Sequence, residues 1–240
     1  MKEQKIQPTA ASREFPCQNC EVRDQSICAV LSDEELRELS KISTAVELTK
    51  GATVFFEGDE NTYLFNVVSG AVRLSKLLPD GRRQVTGFLF PGDFIGLSVA
   101  DKYAYTAETL SNTSLCRFNR PNLIKLLDRF PKLEHRLLEL ASNELIEAQD
   151  HMVLLGQKDL TEKISGILIN LLKRTGQRRN DAIVINLPMS RTDLAEYAGV
   201  TTESVSRCLT RLRKANVISL PKASSVHVLQ EDELERLAGD

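Results

Sequence analysis

Four turn signals punctuate the stretch from Ala45 to about Asn119: Glu57-Gly58-Asp59, Ser69-Gly70, Pro79-Asp80-Gly81 and Pro91-Gly92-Asp93, about 11–12 residues apart. Between them lie short β-branched or alternating runs, such as Thr53-Val54-Phe55-Phe56, Leu64-Phe65-Asn66-Val67-Val68 and Gln84-Val85-Thr86-Gly87-Phe88. Segments this short cannot hold helices of ordinary length. Their spacing predicts an all-β sandwich or roll.

Outside that stretch the apolar period becomes helical. Ser32 can cap a short helix with Glu35 at its third position, and Leu36, Leu39 and Ile42 form its stripe. A longer helix is predicted from Pro131 to Gly156. Leu138, Ala141, Leu145, Ala148, Met152 and Leu155 follow one another at steps of 3, 4, 3, 4 and 3, the seam of a coiled coil. Glu139, Asn143, Glu144, Glu147 and Asp150 keep the opposite face polar. A narrow seam on a polar helix points to a partner helix, most simply its own copy in a two-fold dimer. Ala141 and Ala148 keep that seam weak, which suits an association that can be switched.

After a further helix, roughly Asp159 to Arg174, comes the most specific local pattern. Ser190 and Asp193 form a capping box, Gly199 makes a tight turn, Thr201 caps a second helix, and Leu194, Val205, Leu209 and Leu212 supply a buried face. Caps, turn and apolar positions agree on a helix-turn-helix. Val217–Leu220 and Val226–Leu229, joined through Pro221-Lys222-Ala223-Ser224, predict a hairpin wing behind it. Between Lys163 and Lys222 there are 11 Lys and Arg against 4 Asp and Glu, a local charge of +7 on a chain of net −2, so one region faces a polyanion. On the second helix Thr202, Glu203, Ser206 and Arg207 are placed to read bases. Arg207 can donate twice to guanine and Glu203 can accept from cytosine N4. Arg191, Arg211, Arg213 and Lys214 are candidate phosphate contacts, which position without specifying.

Three of only five cysteines crowd into the polar run Cys17-Gln18-Asn19-Cys20-Glu21-Val22-Arg23-Asp24-Gln25-Ser26-Ile27-Cys28. Thiols so placed bind a soft metal or an iron–sulfur cluster, or exchange disulfides. The chain has no apolar run of the roughly 18 residues that span a bilayer, and its start is polar, so a cytoplasmic protein with reduced thiols is expected. That favours metal ligation. Cys116, in Ser114-Leu115-Cys116-Arg117-Phe118, is the candidate fourth ligand, if the arm folds back over the β region. Cys208 reads as a small core residue beside Val205 and Leu209. Zinc stays open, although Cys-x2-Cys-x7-Cys is not a finger spacing. An iron–sulfur electron-transfer protein or enzyme is disfavoured, because ferredoxin spacings and a separate set of catalytic acids and bases are absent.

Together, the arm cysteines with Cys116, the turns at Gly58, Gly70, Gly81 and Gly92, the long helix and Glu203-Ser204-Val205-Ser206-Arg207 resemble the cyclic-AMP receptor protein/fumarate–nitrate reduction regulator (Crp/Fnr) superfamily, its oxygen-sensing branch above all. The resemblance covers the chain from Cys17 onward. It implies an α+β protein with four parts: an N-terminal arm over 1–44, a cyclic-nucleotide-binding-like β-roll sensor over 45–130, a dimerisation helix over 131–157 and a winged helix-turn-helix over 158–240. It implies one four-iron, four-sulfur (4Fe–4S) cluster per chain, held by Cys17, Cys20, Cys28 and Cys116. The implied partners are a second copy, RNA polymerase and double-stranded DNA carrying TTGAT-type inverted repeats. The cyclic-nucleotide branch resembles this chain less at its ligand pocket. Gly96-Leu97-Ser98 and Tyr105-Thr106 stand where that branch has its glutamate and its phosphate-binding arginine, so cyclic AMP is not expected.

Overall fold

The structure, a computed structural model, describes residues 16–98, 100–179 and 182–239. The loose tail expected over 1–16 lies outside these, but for Pro16. The chain divides into two units, one of Met1–Lys76 with Gly87–Leu145, the other of Leu77–Thr86 with Ile146–Asp240.

In the first unit the arm is a chain of short 3₁₀ turns, Pro16–Asn19, Arg23–Gln25 and Ile27–Val30, leading to helix α1, Asp33–Lys41. Ser32 accepts from Glu35 N and the Glu35 carboxylate accepts from Ser32 N, so the expected capping box is formed in both directions. Eight strands follow: β1 Ser43–Leu48, β2 Thr53–Phe55, β3 Tyr63–Ser69, β4 Val72–Leu77, β5 Arg83–Leu89, β6 Phe94–Ile95, β7 Thr106–Thr109 and β8 Thr113–Asn119. They make two four-stranded sheets, ordered β1-β8-β3-β6 and β2-β7-β4-β5. Helices α2, Arg120–Arg129, and α3, Pro131–Gln157, come next. The predicted turns fall where expected. Gly70 is the most constrained: its φ is +86° and a Cβ there would press on Asn112 O and on Thr113, so the β3–β4 turn requires glycine.

Strand alternation gives the first sheet two apolar faces. Phe65, Val67 and Leu115 point into a core shared with Val54, Phe55, Val72, Leu74 and Ala107 of the other sheet. Leu64, Phe94 and Phe118 point the opposite way, into a second core closed by Ile27 and Leu31 of the arm, Leu36 and Leu39 of α1, Leu123 and Leu126 of α2, and Leu133 of α3. The arm is therefore structural cover for one face of the roll. Arg23 strengthens it by donating to Leu31 O and pairing with Asp33.

In the second unit α4, Leu160–Thr175, is capped by Asp159, which makes its own capping box with Glu162. A four-stranded sheet ordered β11-β12-β10-β9 contains the hairpin wing. Its strands are β9 Gln177–Arg179, β10 Ala182–Asn186, β11 Ile218–Lys222 and β12 Ser225–Val228, so the wing strand runs through Pro221 and the turn shrinks to Ala223-Ser224. Helices α5, Arg191–Ala198, and α6, Thr202–Lys214, form the helix-turn-helix, and α7, Glu231–Ala238, packs on α4. Among the described residues no helix is long and apolar enough to cross a membrane.

Candidate DNA interface and cysteine pocket

Helix α5 begins where its sequence says it should. Ser190 accepts from Asp193 N at 3.1 Å and the Asp193 carboxylate accepts from Ser190 N at 2.8 Å. Asp193 is buried and also takes Arg83 at 3.2 Å, while Glu196 takes Arg83 at 2.7 Å. Gly199 ends the helix in the left-handed conformation, φ 65° and ψ 38°. A Cβ there would lie 3.1 Å from Leu155 of α3, so the turn is tight as well as left-handed. Thr201 then accepts from Ser204 N and starts α6.

Val205, Cys208, Leu209 and Leu212 bury one face of α6 and leave Glu203, Ser206 and Arg207 exposed, with Thr202 half-buried. The proposed base-reading residues thus share the free face at the helix start. Hydrogen bonds from its own backbone and from Thr201 hold the Glu203 carboxyl below its usual range, with a smaller contribution from Arg207, so it stands ready as an acceptor. Arg211, Arg213 and Lys214 are exposed at the other end, where cations also complement the helix dipole. Arg191 differs. It is half-buried, its Nη1 is buried without a hydrogen-bond partner, and burial lowers its pKa.

The four cysteines proposed as ligands come together from distant parts of the first unit. Cys17 and Cys28 sit in the outer 3₁₀ turns of the arm, Cys20 between them, and Cys116 on β8 beneath. Cys17, Cys28 and Cys116 pack against the same apolar cluster. Ser26 caps the turn that carries Cys28, accepting from its backbone N–H at 3.2 Å. Burial is the main cause that raises the Cys17, Cys28 and Cys116 thiols. Cys28 reaches about 11, and Cys116 is pushed up furthest. The sulfurs also act on one another: Cys20 raises Cys17, Cys17 and Cys20 raise Cys28, and all three raise Cys116. Among the described residues no three side chains converge at metal-binding geometry. The donor set still fits a soft-metal centre in kind, since four half-buried cysteines supply the thiolate ligands that such a centre takes. Cys208 lies elsewhere, buried in α6 with Leu160 O 3.9 Å away.

The interior of the roll is lined by aromatic rings. Tyr103 stacks on Phe55 with ring centroids 3.6 Å apart and donates to Tyr63 O at 2.6 Å. Tyr105 accepts from Gly96 N, and burial raises both tyrosines to about 12. Arg73, half-enclosed by the second sheet, pairs with Glu108 at 2.6 Å.

On α3, Leu133 is buried, and Leu137 and Leu140 pack against the roll core. Leu138, Leu145 and Met152 of the expected seam are 65%, 58% and 68% exposed. Ala148 is exposed, whereas Ala141 and Leu155 are half-buried. Ile146 and Val153, which the seam omitted, extend the exposed apolar stripe by a second row seven residues apart.

Comparison with known proteins gives this arrangement its place. Residues 45–130 match the family model for a cyclic nucleotide-binding domain, and residues 162–237 match that for a Crp-like helix-turn-helix domain. The chain is 38% identical over 204 residues to the nitrogen fixation regulation protein FixK of Bradyrhizobium diazoefficiens, covering 85% of this chain and 86% of that protein. It is 33% identical over 228 residues to the transcriptional activator protein FnrL of Cereibacter sphaeroides, covering 93% and 92%. The solved structure of FixK2 from Bradyrhizobium japonicum superposes with a TM-score of 0.77 at 32% identity, over 82% of this chain and 97% of that one. The chain belongs to the Crp/Fnr superfamily, in its fumarate–nitrate branch, and is a transcription regulator of that type with a DNA-binding helix-turn-helix, not an enzyme.

Proposed function

We propose that this regulator binds TTGAT-type inverted repeats as a homodimer in the cytoplasm, and that a 4Fe–4S cluster at Cys17, Cys20, Cys28 and Cys116 makes its binding oxygen-dependent. The observation that carries the reading is that Cys17 and Cys28 of the arm pack with Cys116 of β8 against one apolar cluster, with Cys20 near enough to act on all three. When bound, the cluster supplies oxygen-labile iron–sulfur chemistry.

The chain's own residues do the rest. Cys17, Cys20 and Cys28 would tie the arm to β8 through Cys116. Arg136 of α3 donates to Gln25 O at 3.3 Å and Ser26 O at 3.5 Å, just before Cys28, and pairs with Glu139. The arm's position is therefore felt at α3, two residues from the exposed Leu138. Leu138, Leu145 and Met152, with Ile146 and Val153, form the face for a second copy. Paired, the two α6 helices would present Glu203, Ser206 and Arg207 to half-sites about one DNA turn apart. Arg211, Arg213 and Lys214 supply phosphate contacts, and Arg191 does so from its half-buried position. Bound to a promoter, the dimer would meet RNA polymerase.

Purification without oxygen, followed by a visible spectrum with iron and sulfide analysis, tests this. Brown protein with iron and sulfide near four each per chain is the expected result. A second reading places a zinc site or a thiol–disulfide switch on the same cysteines. It predicts colourless protein.

A further inference from the structure

Cys116 lies in a row that crosses the whole first sheet. It pairs with Ala45 of β1 on one side and with Asn66 of β3 on the other, and Asn66 in turn pairs with Phe94 of β6. Directly opposed residues of antiparallel strands project to the same face, with Cβ atoms about 4.5–5.5 Å apart. That face is the one under the arm, because Leu64 and Phe94 on it pack into the cluster that includes Cys17, Cys28 and Cys116, whereas Phe65 and Val67 point into the core between the sheets.

Asn66 is the odd residue in this apolar run. It is 3% exposed. Its Nδ2 donates to Val67 O at 3.2 Å, and its Oδ1 is buried with no hydrogen-bond partner. Packing alone gives no reason for a carboxamide here, since valine or leucine would fill the space without a desolvated carbonyl. Cys116 thus lies between the apolar Ala45 and a polar side chain, Asn66, that still has hydrogen-bonding capacity.

We infer that Asn66 is a positioning residue for the cluster ligand Cys116, its carboxamide hydrogen-bonding that sulfur from the β3 side. Once the sulfur is ligated, the second Nδ2 hydrogen, or the amide rotated about Cβ–Cγ, donates to it. Hydrogen bonds of this kind orient a ligand and slow its loss from a metal centre. The inference rests on the cluster reading above and adds a residue to it.

The test compares wild type, Asn66→Leu and Asn66→Ser, each purified without oxygen and reconstituted with iron and sulfide. The readouts are thermal melting, the rate of iron loss to a chelator, and decay of the visible band in air. Asn66→Leu should melt at or above the wild-type temperature, having shed an unpaired carbonyl. It should nonetheless lose iron about 10-fold faster and bleach sooner. Asn66→Ser, which keeps a donor, should fall between. If Asn66→Leu does not fold, Asn66→Ala replaces it in the same comparison. Iron loss and bleaching equal to wild type would overturn the role of Asn66 while leaving the cluster intact. A wild type that takes up no iron and sulfide would instead overturn the cluster reading, and this inference with it.

Discussion

The helix-turn-helix and the cysteine pocket solve opposite problems. The first works by exposure: α6 buries Val205, Cys208, Leu209 and Leu212 so that Glu203, Ser206 and Arg207 can face outward. The second works by burial, gathering thiols from an arm and a strand under a shared apolar cover. Cysteine itself marks the contrast. Cys208 is buried alone, and its thiol is raised chiefly by desolvation, with Arg211 pulling the other way. Cys116 is half-buried and in company, and its three companions raise it beyond what desolvation does. A lone buried thiol is a small apolar residue, whereas neighbouring thiols are the donor set that the proposed cluster would use.

The largest effect should separate these two environments outright. Cys116→Ser, like Cys17→Ser, Cys20→Ser or Cys28→Ser, is expected to abolish iron retention in anaerobic protein, while Cys208→Ser keeps it. Iron and sulfide analysis of the five variants decides the matter, and loss of iron in Cys208→Ser would erase the distinction. Next in size is the exposed stripe of α3. Leu145→Glu places like charges across the proposed two-fold and should yield monomers even with the cluster intact. A dimer of unchanged stability in sedimentation would assign the stripe to another role.

At the DNA face the expected effects are smaller and differ in kind. Arg207→Ala should weaken binding to TTGAT-type sites by about 1–3 kcal/mol and relax the preference for guanine. Arg213→Ala or Lys214→Ala should weaken all sequences alike and lower the salt slope. A panel of single-base operator variants at one salt concentration reads both; a uniform loss in Arg207→Ala would make Arg207 a backbone contact. Smallest is Ser32→Ala, which removes one half of the α1 capping box and should cost about 1 kcal/mol. Thermal melting measures it, and an unchanged melting temperature would mean that the arm, not the cap, holds α1 in place.

The sequence was most legible where a few adjacent residues carry the whole rule. Ser190, Asp193, Gly199 and Thr201 each do in the structure what their spacing predicts. The glycine turns were legible for the same reason. The pairing of Cys116 with the arm was inferred only because three cysteines wanted a fourth, since nothing near Cys116 in the chain announces it. Strand β9, Gln-Arg-Arg, was missed because it is exposed on every residue and shows no alternation. Helix α2 was missed despite its Asn119 cap and Pro121, and α7 despite three acidic residues in its first turn and Gly239 after its end. Ile146 and Val153 escaped the seam because a strict 3-4 count selects one row, while the exposed stripe is two rows wide. Asn66 read as an ordinary member of an apolar strand. Only the register opposite Cys116 gives it significance.

The central claim is that the four thiols govern what the exposed face of α6 does, and one titration addresses it. Anaerobic protein is bound to a TTGAT inverted repeat, then exposed to measured additions of air while affinity and the visible band are followed in the same sample. Affinity should fall in step with the band, and dimers should give way to monomers. Protein that is colourless from the start, or affinity that stays constant while the band disappears, would contradict the claim.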